Sequence, residues 1–142
     1  MLIASHTKTI RSGGFTMVEM MVTVLIASIL LVIAVPSYTY QMRHSRRTEA
    51  KTALLDLAAR EERYFSTNSA YTTNLANLGY AGTGWPITVG SGYYTLSVSS
   101  SSTTQFTGTA TATGPQAGDT ACLNFTIDNT GVLSATSATG CW

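Results

Sequence analysis

Along the chain the apolar positions change rhythm twice. From Met20 to Val35 almost every residue is apolar, and no charged side chain occurs between Met20 and Met42. A helical run of that length spans roughly 30 Å of hydrocarbon. Past Pro36 the pattern thins. Ala50, Ala53, Leu54, Leu57, Ala58, Glu61, Tyr64 and Phe65 fall near one face, at a period of about 3.6 residues. One helix is therefore predicted from about Thr16 to Ser66, bent near Pro36, where the ring removes a backbone hydrogen bond. Its first half is apolar all round and suits lipid or other helices. Its second half is amphipathic and suits a domain. Asp56 and Arg60, four apart, make an outward pair worth only about 0.3 kcal/mol.

The second change comes after Ser66. A stretch over about 67–92 is rich in Gly, Asn and Thr, contains Trp85-Pro86, and reads as a long loop. Four runs with period-2 alternation then follow, Tyr93–Ser99, Gln105–Ala112, Cys122–Asp128 and Gly131–Ala135, separated by Ser, Gly and Pro clusters. Asp128-Asn129-Thr130-Gly131 is a hairpin turn between the last two. A helix followed by a meander predicts an α+β fold, with the helix's second half packed on an antiparallel sheet of about four strands.

Composition sharpens this outline. The 142 residues suffice for one domain. Charged residues make up 11%, well below the usual quarter; Ser, Thr, Gly and Ala replace them, mostly in the second half. The net charge of +1 makes the whole chain no polyanion binder. Arg43, Arg46, Arg47 and Lys51 cluster just past the apolar run, without interleaved aromatics, and read as a solvated helix turn rather than a nucleic-acid site. Cys122 and Cys141 are the only cysteines. An even pair in a small Ser/Thr-rich domain points to a disulfide and an oxidising compartment, the alternative being two buried thiols. A loop of that size closed by a bond gains roughly 3 kcal/mol. A structural zinc site needs four ligands, and His6 and His44 are distant in sequence. No Ser/His/Asp, Cys/His or paired-acid constellation stands out, so neither an enzyme nor a cofactor is expected. Asn124-Phe125-Thr126 fits a glycosylation sequon but lies within a strand. Trp85, Tyr93, Tyr94 and Trp142 read as packing residues.

The start of the apolar run holds an acid, Glu19, where a lone carboxylate is costly. A secretory signal peptide would carry a shorter apolar core with small residues after it; here the small pair, Gly13-Gly14, comes before. A cut after Gly14 would leave an α-ammonium on Phe15, four positions ahead of Glu19. In lipid or a helical bundle those charges attract more strongly than in water, less the cost of desolvation. Paired between chains, they would set axial register.

The segment from Gly13 to Tyr38, with glycine at the cut, an aromatic next, Glu four positions later, a long apolar run and a proline near its end, resembles the class III signal of type IV pilins and pseudopilins. Residues 45–72, "GYYTLSVS" and the end from Ala117 to Trp142 resemble the PilE-type minor pilins. The resemblance implies a ladle-shaped pilin: leader 1–14 removed, transmembrane and assembly helix 15–42, and globular domain 43–142. It implies cleavage by a prepilin peptidase at Gly14 with N-methylation of Phe15, assembly through Glu19 and Pro36, and a C-terminal region closed by Cys122–Cys141. Its implied partners are other pilins in a helical filament, the prepilin peptidase, the inner-membrane assembly platform and, before assembly, the inner membrane itself. The implied function is that of a minor pilus subunit supporting biogenesis, twitching motility and adhesion, with the C-terminal domain periplasmic and then extracellular. Lys8 and Arg11 are outnumbered by the cluster past the span, against the positive-inside rule; the cysteine pair and the signal outweigh that count. The alternatives are a type II secretion pseudopilin, which the cysteine pair argues against, and an adhesive or DNA-uptake pilin with a binding loop.

Overall fold

The computed structural model describes residues 14–137 and 140–142, with Ser100 and Ser101 described by backbone alone; most of the expected leader, Gly13 included, lies outside the described residues. The long helix α1 runs Met17–Asn68 and contains Pro36. Contacts divide the chain after Tyr38 into two units, one up to Tyr38 and one of Thr39–Trp142.

In the first unit α1 carries the apolar run and buries none of it: every residue from 14 to 38 is exposed. In the second unit the same helix turns one face inward, with Ala50, Leu54, Leu57 and Glu61 buried. Those positions are spaced by four, three and four, the repeat that keeps side chains on one face.

The face packs on a five-stranded antiparallel sheet in the order β1-β2-β3-β4-β5. Its strands are β1 Ile87–Val89, β2 Tyr94–Ser102, β3 Gln105–Ala112, β4 Asn124–Asp128 and β5 Leu133–Ala135. Alternation sends Leu96 and Val98, Phe106 and Ala110, and Phe125 and Ile127 into the core with Leu54, Leu57 and Leu78. Gly108 in β3 lies under the helix. A Cβ built there would fall 2.6 Å from Leu57 Cδ2 and 3.3 Å from Leu54 Cδ2, so glycine permits the close approach.

The opposite face is unlike an ordinary domain surface. The register aligns Thr88, Thr95, Thr111 and Asn124 in one row across four strands. Ser97, Thr109, Thr126 and Ser134 form a second row, and Ser99, Thr107 and Asp128 a third. This is where the missing charge of the composition has gone: hydroxyls cover the sheet in its place.

Strand β2 runs three residues further than expected, to Ser102, and β5 begins at Leu133 rather than Gly131; two other differences have a clear local cause. The predicted loop contains β1, three residues long, paired through Ile87–Leu96, Thr88–Thr95 and Val89–Tyr94. The run predicted from Cys122 begins as strand only at Asn124, because Gly114–Gly118 and Thr120–Cys122 are 3-10 turns. The hairpin turn forms at Asp128-Asn129-Thr130-Gly131, where Gly131 has φ 77°, a conformation glycine adopts without strain. Asp128 Oδ1 accepts the N–H groups of Thr130 and Val132 at 2.8 and 3.0 Å.

Candidate functional site

Helix α1 starts at a polar clasp. Thr16 Oγ1 accepts the Glu19 N–H at 3.2 Å, and Thr16 O accepts the Met20 N–H at 3.2 Å. Thr16 is therefore an N-cap with Glu19 three residues later, the T-x-x-E spacing of a capping box. A carboxylate in the first turn also faces the positive end of the helix dipole. Glu19 thus has a local reason for its place, one that a reading focused on charge pairing missed although the spacing was present in the sequence. The Thr23 hydroxyl folds back onto the carbonyls of Glu19 and Met20 at 2.7 and 3.0 Å, and the Ser28 hydroxyl onto Leu25 O at 2.8 Å, so these polar groups are satisfied within the helix.

Around the clasp lies uncovered apolar surface. Phe15 is 74% exposed and Met17 84%. The most apolar 18-residue window of α1 has a mean hydropathy of 2.7 and is unburied. A helix apolar on all sides finds its partners outside its own chain, in lipid or in other helices. Gly14 and Phe15 precede the clasp and are both exposed. Pro36 sits inside α1, where it has no N–H to offer the Val32 carbonyl.

The second unit is held by contacts between positions remote in sequence. Cys122 and Cys141 are bonded, with S–S 2.02 Å and Cα–Cα 5.6 Å. The basic cluster, expected as a solvated turn, is instead largely occupied. Arg47 makes a bidentate pair with Asp119, Nε to Oδ2 at 2.7 Å and the second amine to Oδ1 at 2.8 Å, and it reaches Gly140 O at 3.3 Å. The two side chains are 11% and 7% exposed. Asp119 raises the Arg47 pKa further, first by accepting its hydrogen bond. The Arg46 guanidinium carbon lies 3.6 Å from the centre of the Tyr93 ring. Lys51 Nζ stands 5.8 Å from the Trp142 ring and 5.9 Å from Phe125, and Trp142 meets Phe125 edge-on.

Gln116 completes the network. It is fully buried, and its amide lies 3.1 Å from Asp119 Oδ2, 3.2 Å from Tyr94 Oη and 3.3 Å from Arg43 O. Burial pushes the Tyr94 phenol up, against the hydrogen bond from Gln116. Helix, sheet, 3-10 turn and disulfide-closed tail thus meet at one polar knot.

A second set of contacts holds the loop between α1 and the sheet. Arg60 pairs with Asp56 at 2.7 Å, as its spacing predicts, but also donates to Leu78 O at 2.9 Å and lies over the Tyr80 ring. The Tyr80 hydroxyl donates to Asp56 at 2.9 Å, and burial, then that bond, raises its pKa. The Tyr71 hydroxyl donates to Glu62 at 2.7 Å, and its pKa is pushed up to about 12, burial being the larger cause. Glu61 accepts the Thr72 N–H at 3.1 Å, and burial raises its pKa. No group of three or more His, Cys, Asp or Glu capable of holding a metal occurs among the described residues.

Residues 36–126 match the family model described as type IV minor pilin ComP, DNA uptake sequence receptor, and residues 10–35 match the prokaryotic N-terminal methylation motif. The type IV major pilin protein PilA of Myxococcus xanthus is 35% identical over 71 residues, which cover 50% of this chain and 32% of that protein. The chain thus spans about a third of that relative's length. Among solved structures, a type IV pilin from Shewanella oneidensis superposes with a TM-score of 0.52 at 26% identity, over 70% of this chain and 97% of that one. The non-core minor pilin PilV of Neisseria meningitidis superposes with a TM-score of 0.50 at 24% identity, over 70% and 92%, a likeness of fold.

Proposed function

The chain belongs to the type IV minor pilin family, and from that premise we propose that it is a filament subunit drawn from the inner membrane into a type IV pilus. The observation that carries this is Glu19 in a first turn capped by Thr16, at the start of the apolar half of α1, which is exposed throughout up to Tyr38. In this reading residues 1–14 are a leader removed by prepilin peptidase, 15–42 the transmembrane and assembly helix, and 43–142 the globular domain. Cleavage after Gly14 frees the α-ammonium of Phe15, which the peptidase then methylates in a separate step. Glu19 meets that charge on a neighbouring subunit, so that one axial stagger satisfies both, while Pro36 marks the end of the lipid-suited run. The assembly platform of the inner membrane engages the chain before it joins other pilins. The disulfide Cys122–Cys141 forms on the periplasmic side, and the domain then travels to the cell exterior. Support for biogenesis, twitching and adhesion follows from membership in such a filament.

The first test is mass spectrometry of the mature protein. The expected N-terminal residue is methylated Phe15; another first residue overturns the processing step. Glu19→Ala is expected to be processed and inserted but to enter sheared filaments severalfold less often. Normal incorporation removes the charge-pairing argument.

A second reading comes from the description of the matched family as a DNA uptake sequence receptor. Phosphate contacts come chiefly from Lys and Arg, and this chain has none after Arg63. Three of the four cations in the juxtamembrane cluster already face Asp119, Tyr93 or the Phe125–Trp142 pair. These features argue against the DNA role here. A DNA titration at rising salt decides: tight binding with a steep salt slope would restore it.

A further inference from the structure

One acid in the second half of α1 lies on the wrong face for a charge. Glu61 follows Leu54 and Leu57 on the buried stripe and is fully buried itself. Its Oε2 accepts the Thr72 N–H at 3.1 Å, while its Oε1 is buried without a hydrogen-bond partner. A carboxylate offers about four acceptor sites, so a buried one with a single neutral donor is poorly compensated.

The groups packed around it do not supply a counter-charge. On the helix the adjacent acid is Glu62, whose oxygen takes the Tyr71 hydroxyl and whose charge disfavours a second one nearby; Arg63 is exposed, and the Tyr64 hydroxyl accepts from Asn77. Arg60, one position before, is committed to Asp56 and to the carbonyls of Leu78 and Gly79. From the loop come two phenols, Tyr71 and Tyr80. From the sheet, β3 has no ionisable residue, and β2 has only Tyr94, engaged by Gln116.

Thr72 belongs to the segment where the chain leaves the helix. Ser69 adopts φ 54°, Tyr71 N–H donates to Thr103 O at 2.8 Å, and the Tyr71 ring stacks on Phe65. Apart from the Tyr71 hydroxyl bonded to Glu62, these contacts carry no charge of their own. Opening the segment around Thr72 admits water to the carboxylate, which favours the ionised form; closing it favours the protonated one, because burial outweighs the Thr72 N–H bond, which by itself favours the charge.

We propose that Glu61 is a proton-operated latch on this loop: protonated, it holds the Ser69–Asn74 segment against the helix, and ionised it lets that segment open. The sign follows from linkage. A carboxyl whose folded-state pKa is raised contributes stability that is complete below its ordinary pKa and is lost as pH rises through the raised value. The loop is therefore held most tightly in mild acid and loosens toward neutral and alkaline pH, the reverse of a salt-bridged acid.

Hydrogen exchange by mass spectrometry, on the full chain in detergent from pH 5 to pH 8 and corrected for intrinsic rates, tests this. Peptides covering Ser69–Asn74 are expected to lose protection severalfold as pH rises, while peptides from β3 and β4 hold theirs. Glu61→Gln is expected to abolish that trend, and Glu62→Gln to keep it. A loop whose protection is flat with pH in the parent, or a trend that survives in Glu61→Gln, overturns the latch. Should Glu61→Gln fail to fold, the parent and Glu62→Gln decide: a trend confined to these peptides in both supports it, and a trend shared with β3 and β4 or lost in Glu62→Gln sinks it.

Discussion

Replacing Asp119 with alanine is expected to be among the most damaging single changes to the globular unit. The substitution removes both hydrogen bonds that Arg47 makes at 2.7 and 2.8 Å and leaves an 11%-exposed guanidinium with only the Gly140 carbonyl, 3.3 Å away. Gln116 also loses an acceptor at 3.1 Å inside the core. Stripping one partner from a buried pair costs about 3–5 kcal/mol, because the remaining charge is uncompensated. The residual exposure and the carbonyl place this site near the low end, about 3 kcal/mol. For a domain of this size that lowers the unfolding midpoint by about 15 °C. Thermal unfolding of the full chain in detergent, followed by near-ultraviolet dichroism, measures it. The same argument requires that Arg47→Met with Asp119→Leu be less damaging than the sum of the single changes, since the double variant buries no orphan charge. A loss below about 1 kcal/mol for Asp119→Ala, or strict additivity in the cycle, would falsify the account of a buried, mutually dependent pair.

Two further outcomes follow from local geometry. Gly108→Ala places a methyl 2.6 Å from Leu57 Cδ2 and 3.3 Å from Ile127 Cγ2, and overpacking of that kind costs about 1–3 kcal/mol; a urea midpoint unchanged from the parent would mean that the helix shifts freely on the sheet. Asp128 is the acid-sensitive counterpart of Glu61: the Thr130 hydroxyl first, then the Val132 and Thr130 N–H groups, hold its carboxyl below the ordinary range. Its support is present above the ordinary carboxylate pKa and is lost as pH falls through the lowered one, so exchange protection of the Val132 amide should fail only in strong acid, and in Asp128→Ala should be missing at every pH.

Some of this architecture is legible in the sequence because it is periodic. The helix, its change of character near Pro36 and strands β2 to β4 announce themselves through spacing alone. So does Glu61, an acid on the apolar stripe, although its unpaired oxygen depends on what the loop brings to it. Strand β1 is invisible because three residues of alternation, amid glycines, do not rise above a loop. The polar knot is invisible for a different reason. Arg47 and Asp119 are 72 residues apart, and Gln116 and Asp119 lie in or beside short 3-10 turns that leave no periodic trace. The basic cluster therefore looked solvated, since nothing local indicates that a distant carboxylate and two aromatic surfaces cover it. At the other end, Glu19 drew attention as a charge in the wrong medium, while the Thr16 cap that explains part of its placement was legible three residues earlier.

The hydroxyl rows on the sheet have a consequence for how this surface behaves in water. Charged surfaces keep their distance from one another by a repulsion that salt screens within about 10 Å at 0.1 M. The rows of Thr, Ser and Asn have no such field to screen, with Asp128 at one corner as their sole acid. Whatever approaches most of this face meets hydrogen-bonding hydroxyls rather than a charge. Apart from the corner held by Asp128, contacts made there depend little on ionic strength.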